Sequence, residues 1–208
     1  MLITFGCIAG GQFMLNIASP EGIRLFVLIS ILISVAVIPI LISINRAPVF
    51  EKNESVSIIQ LIKVSPLGVL GTFASGTGAG AIMGMGAVYA FSIGLNTKEI
   101  SIFMGSLIIG GGLMQYPIGR LSDILGRRKV IIITCLIGAI SSLGAVIFNA
   151  SGLLIYIQIA IVGGLSLPLY PLCTTHTNDY LSPSQRVAAS GTLVMAYGSG
   201  ACLLYTSP

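Results

Sequence analysis

The residues with the clearest chemistry form a short charged segment between two long uncharged stretches. This segment, Gly119–Lys129, has the pattern Gly-x-x-x-Asp-x-x-Gly-Arg-Arg. Asp123 is the only acid beside four bases, so its carboxylate can pair with Arg127 or Arg128, or lie at the N-terminus of a neighbouring helix. The two glycines permit a tight turn and close helix contact. Such contacts can tie one bundle of helices to another, and breaking them would favour separation.

A second set of residues is polar but lies inside long apolar stretches. Burying a polar group in lipid costs free energy unless that group serves packing or a pathway. For each member, a local hydrogen bond between helices is as good an interpretation as contact with a ligand. His176 is the only histidine and could titrate near neutral pH, although an interfacial histidine with satisfied hydrogen bonds is the better interpretation. The set comprises Gln12, Asn16, Tyr89, Gln115, Gln158, Tyr170, His176 and Tyr197.

Catalytic, metal-binding and cofactor-binding patterns are missing from the sequence. The run Gly76–Ala81 matches a dinucleotide-binding fingerprint only superficially, because no strand–turn–helix pattern surrounds it. The cysteines have no metal-ligand spacing and lie in apolar stretches, where this residue behaves as a small hydrophobe. We therefore expect no catalytic residue, no metal and no cofactor, and we do not expect an enzyme. The cysteines are Cys7, Cys135, Cys173 and Cys202.

The elements that carry the charged and polar residues are long and apolar. Of 208 residues, 55% are hydrophobic and 8% are charged, whereas soluble domains carry roughly 25% charged residues. A helix of about 20 apolar residues crosses a bilayer core, and the uncharged runs do not alternate as barrel strands do. The predicted fold class is an all-α polytopic integral membrane bundle. Its seven spans are predicted at about 1–18, 22–44, 66–93, 100–119, 130–149, 152–176 and 187–205.

Glycine is abundant, with 26 residues, and part of it is regularly spaced. Gly76, Gly80 and Gly84 recur every fourth position, which places them on one face of a helix. Small residues let membrane helices approach closely. We predict that these glycines and the run Gly110–Gly112 serve helix packing.

The basic residues predict the orientation of the chain. The segments 45–65, 120–129 and 178–186 carry eight of the ten Lys and Arg residues and fall on one side. Short cytoplasmic segments are enriched in Lys and Arg, so we expect the 45–65 linker and the Met1 end to be cytoplasmic in a cell membrane. The net charge of +4 has the same origin, and without interleaved aromatics it does not predict a nucleic-acid partner.

The linker contains one ambiguous segment, Ser57–Lys63. Its pattern fits a short amphipathic helix on the membrane surface. The start of the next span explains it equally well, and the sequence leaves both interpretations open.

The segment Gly119–Lys129 resembles the cytoplasmic signature of the major facilitator superfamily, which lies between the second and third helices of each six-helix half. The preceding residues Gln115–Ile118 and the linker at 45–65 agree with that resemblance. It implies that residues 1–44 end the N-terminal bundle and residues 66–208 form an incomplete C-terminal bundle. The spans would then be helices five to eleven, and the remaining helices of the same transporter are expected partners.

The resemblance also implies a function, which is transport of a small-molecule substrate across a lipid bilayer by alternating access. A non-transporting membrane receptor or scaffold, a subunit of a membrane complex and a membrane-embedded enzyme are the alternatives. The implied cytoplasmic gating motif is Gly119, Asp123, Gly126, Arg127 and Arg128. The central cavity of the family favours Tyr89, Gln115, Tyr170 and Tyr197 as the substrate path, to which we add His176.

Overall fold

A computed structural model describes residues 56–148 and 152–203 and a few isolated positions between 23 and 34. Within the two continuous ranges the secondary structure is helical. The predicted span at 1–18, most of the predicted span at 22–44 and most of the 45–65 linker lie outside the described residues. The helices are α1 (Ile58–Val64), α2 (Pro66–Ser92), α3 (Thr97–Leu125), α4 (Arg127–Phe148), α5 (Leu153–Ser166), α6 (Leu169–Asn178) and α7 (Pro183–Leu203).

Four described segments are long and apolar enough to cross a membrane, which confirms the all-α membrane fold. They are Pro66–Ser92, Thr97–Leu125, Arg127–Ala145 and Leu153–Asn178, and they correspond to four of the predicted spans. The predicted span at 187–205 is also helical, in α7, but is not among those four. The reason is composition, because α7 mixes its apolar residues with many Ser, Thr and Gly residues.

The segment Leu153–Asn178 is predicted as one continuous span, but its helix is interrupted. α5 ends at Ser166 and α6 begins at Leu169, on either side of Leu167 and Pro168. Proline has no backbone N–H, so position 168 cannot donate to the carbonyl of Gly164 and the helical ladder stops there. The single apolar span therefore consists of two helices.

The charged segment at 120–129 lies between two predicted spans, but it is almost entirely helical. α3 continues to Leu125 and α4 begins at Arg127, so that only Gly126 separates them. Gly126 has φ of +90°, a conformation that a side chain disfavours. One glycine is therefore sufficient for the whole connection, and the charged side chains lie on helices.

Two helix pairs have the most extensive contacts, α2 with α7 and α3 with α5. Both crossings depend on glycine: a Cβ at Gly80 would lie 2.7 Å from the backbone oxygen of Ala201, and one at Gly163 would overlap the backbone of Leu107. Gly76 and Gly110 approach neighbouring backbones in the same way. The predicted packing role is therefore confirmed for Gly76, Gly80 and Gly110, which let the helix backbones approach closely.

The short helix α1 is separate from α2, so it does not begin the next span. Its Leu61 is fully buried and packs in a cluster with Val69 and Leu193. The hydroxyl of Thr192 donates a hydrogen bond of 3.2 Å to the carbonyl of Val56, just before α1. These contacts fix α1 against the first turns of α2 and against α7. A position on the membrane surface stays a prediction.

Candidate gating site and substrate path

Arg127, the first residue of α4, connects the ends of two other helices. Its Nη2 lies 3.7 Å from Oδ1 of Asp123, which is on the last turns of α3. Its Nε lies 2.5 Å from Oδ2 of Asp179, which directly follows α6. The guanidinium therefore joins the ends of α3, α4 and α6 at a single point.

The two ion pairs of Arg127 differ in strength. The pair with Asp123 is long, and the Asp123 side chain is 69% exposed, so water weakens the attraction. The pair with Asp179 is short, and its carboxylate is 47% exposed. Asp179 lies at the negative end of α6 and Arg127 at the positive end of α4, positions that disfavour each charge alone. The ion pair offsets the unfavourable helix-end position of each charge. The contact with Asp179 is therefore the principal one.

Asp179 was not predicted among the residues of the gating motif. The sequence does contain a signal for it, because Asp179 lies within the 178–186 segment that charge bias places on the same side as Arg127. Asp123 was predicted to pair with Arg127 or Arg128, and the structure selects Arg127. Arg128 makes no ion pair with any residue in the described ranges and is exposed to solvent.

The two glycines of the motif have different structural roles. Gly126 adopts the positive φ that forms the α3–α4 junction. A Cβ at Gly119 would meet no described atom within 4 Å. Gly126 is thus required by the local backbone, whereas nothing in the described structure requires a glycine at position 119.

A cavity of about 160 Å³ lies between α3 and α6, next to the ion pairs. Its lining includes Gln115, one of the predicted path residues. Asp123 and Arg127 line the same cavity, at the charged end of α3. The gating motif and part of the predicted path therefore share one space.

The predicted path residues Tyr170 and Tyr197 form an aromatic pair between α6 and α7. Their ring centroids are 4.8 Å apart, and the rings meet edge to face at 61°. Both side chains are partly exposed. Paired aromatic rings with hydroxyl groups offer an apolar surface and hydrogen-bonding atoms together.

The other two path residues lie elsewhere. Tyr89 is near the end of α2 and contacts Phe103, with 6.4 Å between ring centroids, beside a cavity of about 50 Å³. His176 is 7% exposed, and its ring meets that of Tyr180 edge to face at 5.2 Å. His176 precedes Asp179 by three residues, so it lies near the ion pair of Asp179 with Arg127.

A cavity of about 390 Å³ elsewhere in the bundle was not predicted. It lies between α2, α4 and the α5–α6 break and is lined mainly by small and apolar residues. Cys135 and Cys173 both line it, as free thiols. Across the described ranges, no group of three or more His, Cys, Asp or Glu side chains could hold a metal ion.

The helical bundle agrees with the comparisons with known proteins. The family model for the Major Facilitator Superfamily matches residues 68–205, which is more than half of the chain. The chain belongs to the Major Facilitator Superfamily. With four segments apolar enough to span a bilayer, it is a multi-pass membrane protein.

Several curated relatives of this superfamily carry the same name. A protein of Escherichia fergusonii named "Uncharacterized MFS-type transporter YcaD" is 26% identical over 195 residues, which are 93% of this chain and 50% of the relative. Proteins of the same name from Escherichia coli strains HS and K12 show the same identity and coverage. The chain thus spans about half the length of the curated relatives it matches. No solved structure gives a significant match.

Proposed function

We propose that the protein containing this chain is a secondary active transporter, which moves a small solute across the cell membrane by alternating access. Membership of the superfamily and the transporter names of the relatives support this function. The observation that carries the mechanism is the position of Arg127 between Asp123 and Asp179. In this proposal, residues 66–208 belong to the C-terminal bundle, residues 45–65 to the cytoplasmic linker and residues 1–44 to the end of the N-terminal bundle.

The ion pairs have the properties of a contact that opens and closes. They join helix ends rather than helix middles, and both carboxylates are partly exposed to solvent. An exposed ion pair contributes about 0 to 1 kcal/mol, so a shift of α6 relative to α3 and α4, all three within the C-terminal bundle of this proposal, can break it at small cost. The proposed latch therefore consists of Asp123, Arg127 and Asp179 on the cytoplasmic side. Gly126 forms the junction that positions Arg127, and His176 lies beside it.

For the substrate path, we infer that the aromatic pair Tyr170–Tyr197 contacts the solute, with Gln115 on the route to the latch. Uncharged aromatic and amide groups favour a neutral, amphipathic or sugar-like compound over a strongly ionic one. Tyr89 is separated from this pair, so its place would be at the opposite end of the path. Alternating access around such a site is the mechanism proposed for the whole protein.

The experiment compares two adjacent arginines in the full-length protein reconstituted in liposomes. Uptake is measured with a panel of neutral amphipathic solutes and sugars. Replacing Arg127 by Ala removes both ion pairs and is expected to lower uptake about fivefold, the effect of about 1 kcal/mol. Arg128→Ala removes the same charge without removing an ion pair and should retain uptake.

Two results would contradict the proposal. Equal uptake by the Arg127→Ala and Arg128→Ala variants at equal protein content would reject the latch. If the unaltered protein moves none of the solutes yet binds one of them, a receptor or scaffold is the better function.

A further inference from the structure

The cavity between α3 and α6 has a one-sided arrangement of polar groups. Gln115, Gly119, Ser122 and Asp123 line it from α3. Their spacing of four, three and one places them along one face of the helix. At about 1.5 Å per residue, the cavity follows α3 for about 12 Å, from Gln115 to the charged end. It therefore extends from the latch toward the middle of a predicted span.

Ser122 is the unusual residue of this face. It is only 1% exposed, and its Oγ has no hydrogen-bond partner among the described residues. Hydroxyls on the same and neighbouring helices bond instead to the carbonyl four residues earlier, as Ser106 and Thr175 do. Because Ser122 lines the cavity and does not bond back to its own helix, its hydroxyl is available to an occupant.

A second acceptor faces the same cavity. The Oε1 atom of Gln115 is buried and is likewise without a partner among residues 56–148 and 152–203. Buried polar atoms in proteins are nearly always hydrogen-bonded to protein or to ordered water. Two unsatisfied oxygens on one cavity therefore indicate a polar occupant, since an apolar one would leave both without a partner.

The charges at the cavity indicate which polar occupant fits. An anion would meet the carboxylate of Asp123, and a cation would meet the guanidinium of Arg127. A neutral molecule meets neither penalty. The volume of about 160 Å³ matches about five water molecules at about 30 Å³ each. Water is also both donor and acceptor, as Ser122 and Gln115 require.

We propose that this cavity is an aqueous inlet, in which ordered water enters beside the Asp123–Arg127 pair and hydrogen-bonds to Ser122 and Gln115. The inlet brings water from the charged end of α3 to the depth of Gln115. It lies within the C-terminal bundle, between two of its own helices. The proposal depends on the cavity alone and holds whether or not the protein transports a solute.

The first test measures thiol reactivity in the full-length protein in lipid nanodiscs. All native cysteines, among them Cys135 and Cys173, are replaced by alanine, and single cysteines are then introduced. Methanethiosulfonate ethylammonium reacts with thiolates, which form in water and not in an apolar environment. Ser122→Cys should react about tenfold faster than Ser106→Cys, a serine on the same helix that does not line the cavity. Equal rates would overturn the proposal.

The second test needs no substitution and decides the matter if the Ser122→Cys variant does not fold. Hydroxyl radicals produced from water label side chains that water reaches. Leu172 is 5% exposed and lines the cavity, whereas Leu107 is 0% exposed and does not line it. Leu172 should be labelled several times more than Leu107. Equal labelling of the two leucines would show a dry cavity and reject the inlet.

Discussion

Helix α3 makes two contacts of opposite character. Near its middle it crosses α5, where Gly110 and Gly163 let the two backbones touch. At its end it meets α4 and α6 through Arg127 and two partly exposed carboxylates. The crossing depends on shape and excludes water, whereas the junction depends on charge and admits it. Helix α3 thus has one tightly packed contact, with α5, and one contact through ion pairs that can open, with α4 and α6.

This difference follows from the energetics of each contact. Close backbone packing gains many small dispersion contacts. A single added side-chain atom forces the two backbones apart and weakens these contacts together. Ion pairs at a surface gain little and are screened by salt. We therefore expect substitutions at the crossing to change stability more than substitutions at the junction.

The largest effect is expected at the α3–α5 crossing. Gly163→Ala adds a Cβ that would overlap the backbone of Leu107, so the helices must separate. We expect a loss of about 1 to 3 kcal/mol in stability, as for overpacked cores. The measurement is thermal unfolding of the detergent-solubilised protein, followed by size-exclusion chromatography. Gly191→Ala is the control, because open space surrounds it in α7. Equal melting temperatures for the two variants would show that the crossing is not tightly packed.

The second effect concerns the junction itself. Gly126→Ala places a side chain at φ of +90° and ψ of 135°, a conformation outside the regions open to L-residues, which costs about 1 to 3 kcal/mol. Gly119→Ala has open space and a helical backbone, so it should be neutral or stabilising by up to about 1 kcal/mol. Thermal unfolding of both variants provides the comparison. If Gly119→Ala is the more damaging substitution, the motif glycines serve a contact outside the described residues.

A third and smaller effect is the difference in coupling energy between the two ion pairs of Arg127. A double-mutant cycle of Arg127→Ala with Asp179→Asn should give a coupling of about 0.5 to 1 kcal/mol, after allowance for the solvent exposure of the pair. The same cycle with Asp123→Asn should give less, because that pair is 3.7 Å long and more exposed. Chemical or thermal unfolding of the variants yields both couplings. The reverse order would make Asp123 the principal partner.

The smallest effect distinguishes the two contacts by their response to salt. Raising the ionic strength from about 0.05 M to about 0.5 M should weaken the Arg127–Asp179 coupling, because exposed charges are screened. The cost of Gly163→Ala should stay constant, since no charge is involved. Repeating both measurements at the two salt concentrations tests this. A salt-independent coupling would mean that the ion pair is shielded from water.

The gating site could be predicted in part. The pattern from Gly119 to Arg128 named the glycine, acid and base types, because each type has a distinct physical use in a short charged segment. Asp179 escaped prediction since it is far from Arg127 along the chain, and only the packing of α6 beside α3 and α4 brings it near. The path residues are separated for the same reason: Tyr170 and Tyr197 meet, whereas Tyr89 lies with Phe103.

By itself the sequence determined that this chain crosses a membrane as helices. Long uncharged runs require burial in lipid, and lipid requires that each backbone hydrogen bond be made within the helix. Only the tertiary structure decided which residues meet. It placed Asp179 beside Arg127 and brought the ring of Tyr170 against that of Tyr197. It also left the hydroxyl of Ser122, a residue that lines a cavity, without a hydrogen-bond partner among the described residues. Hydropathy and charge act along the chain, whereas these features arise between helices, where the three-dimensional approach of atoms sets the energy.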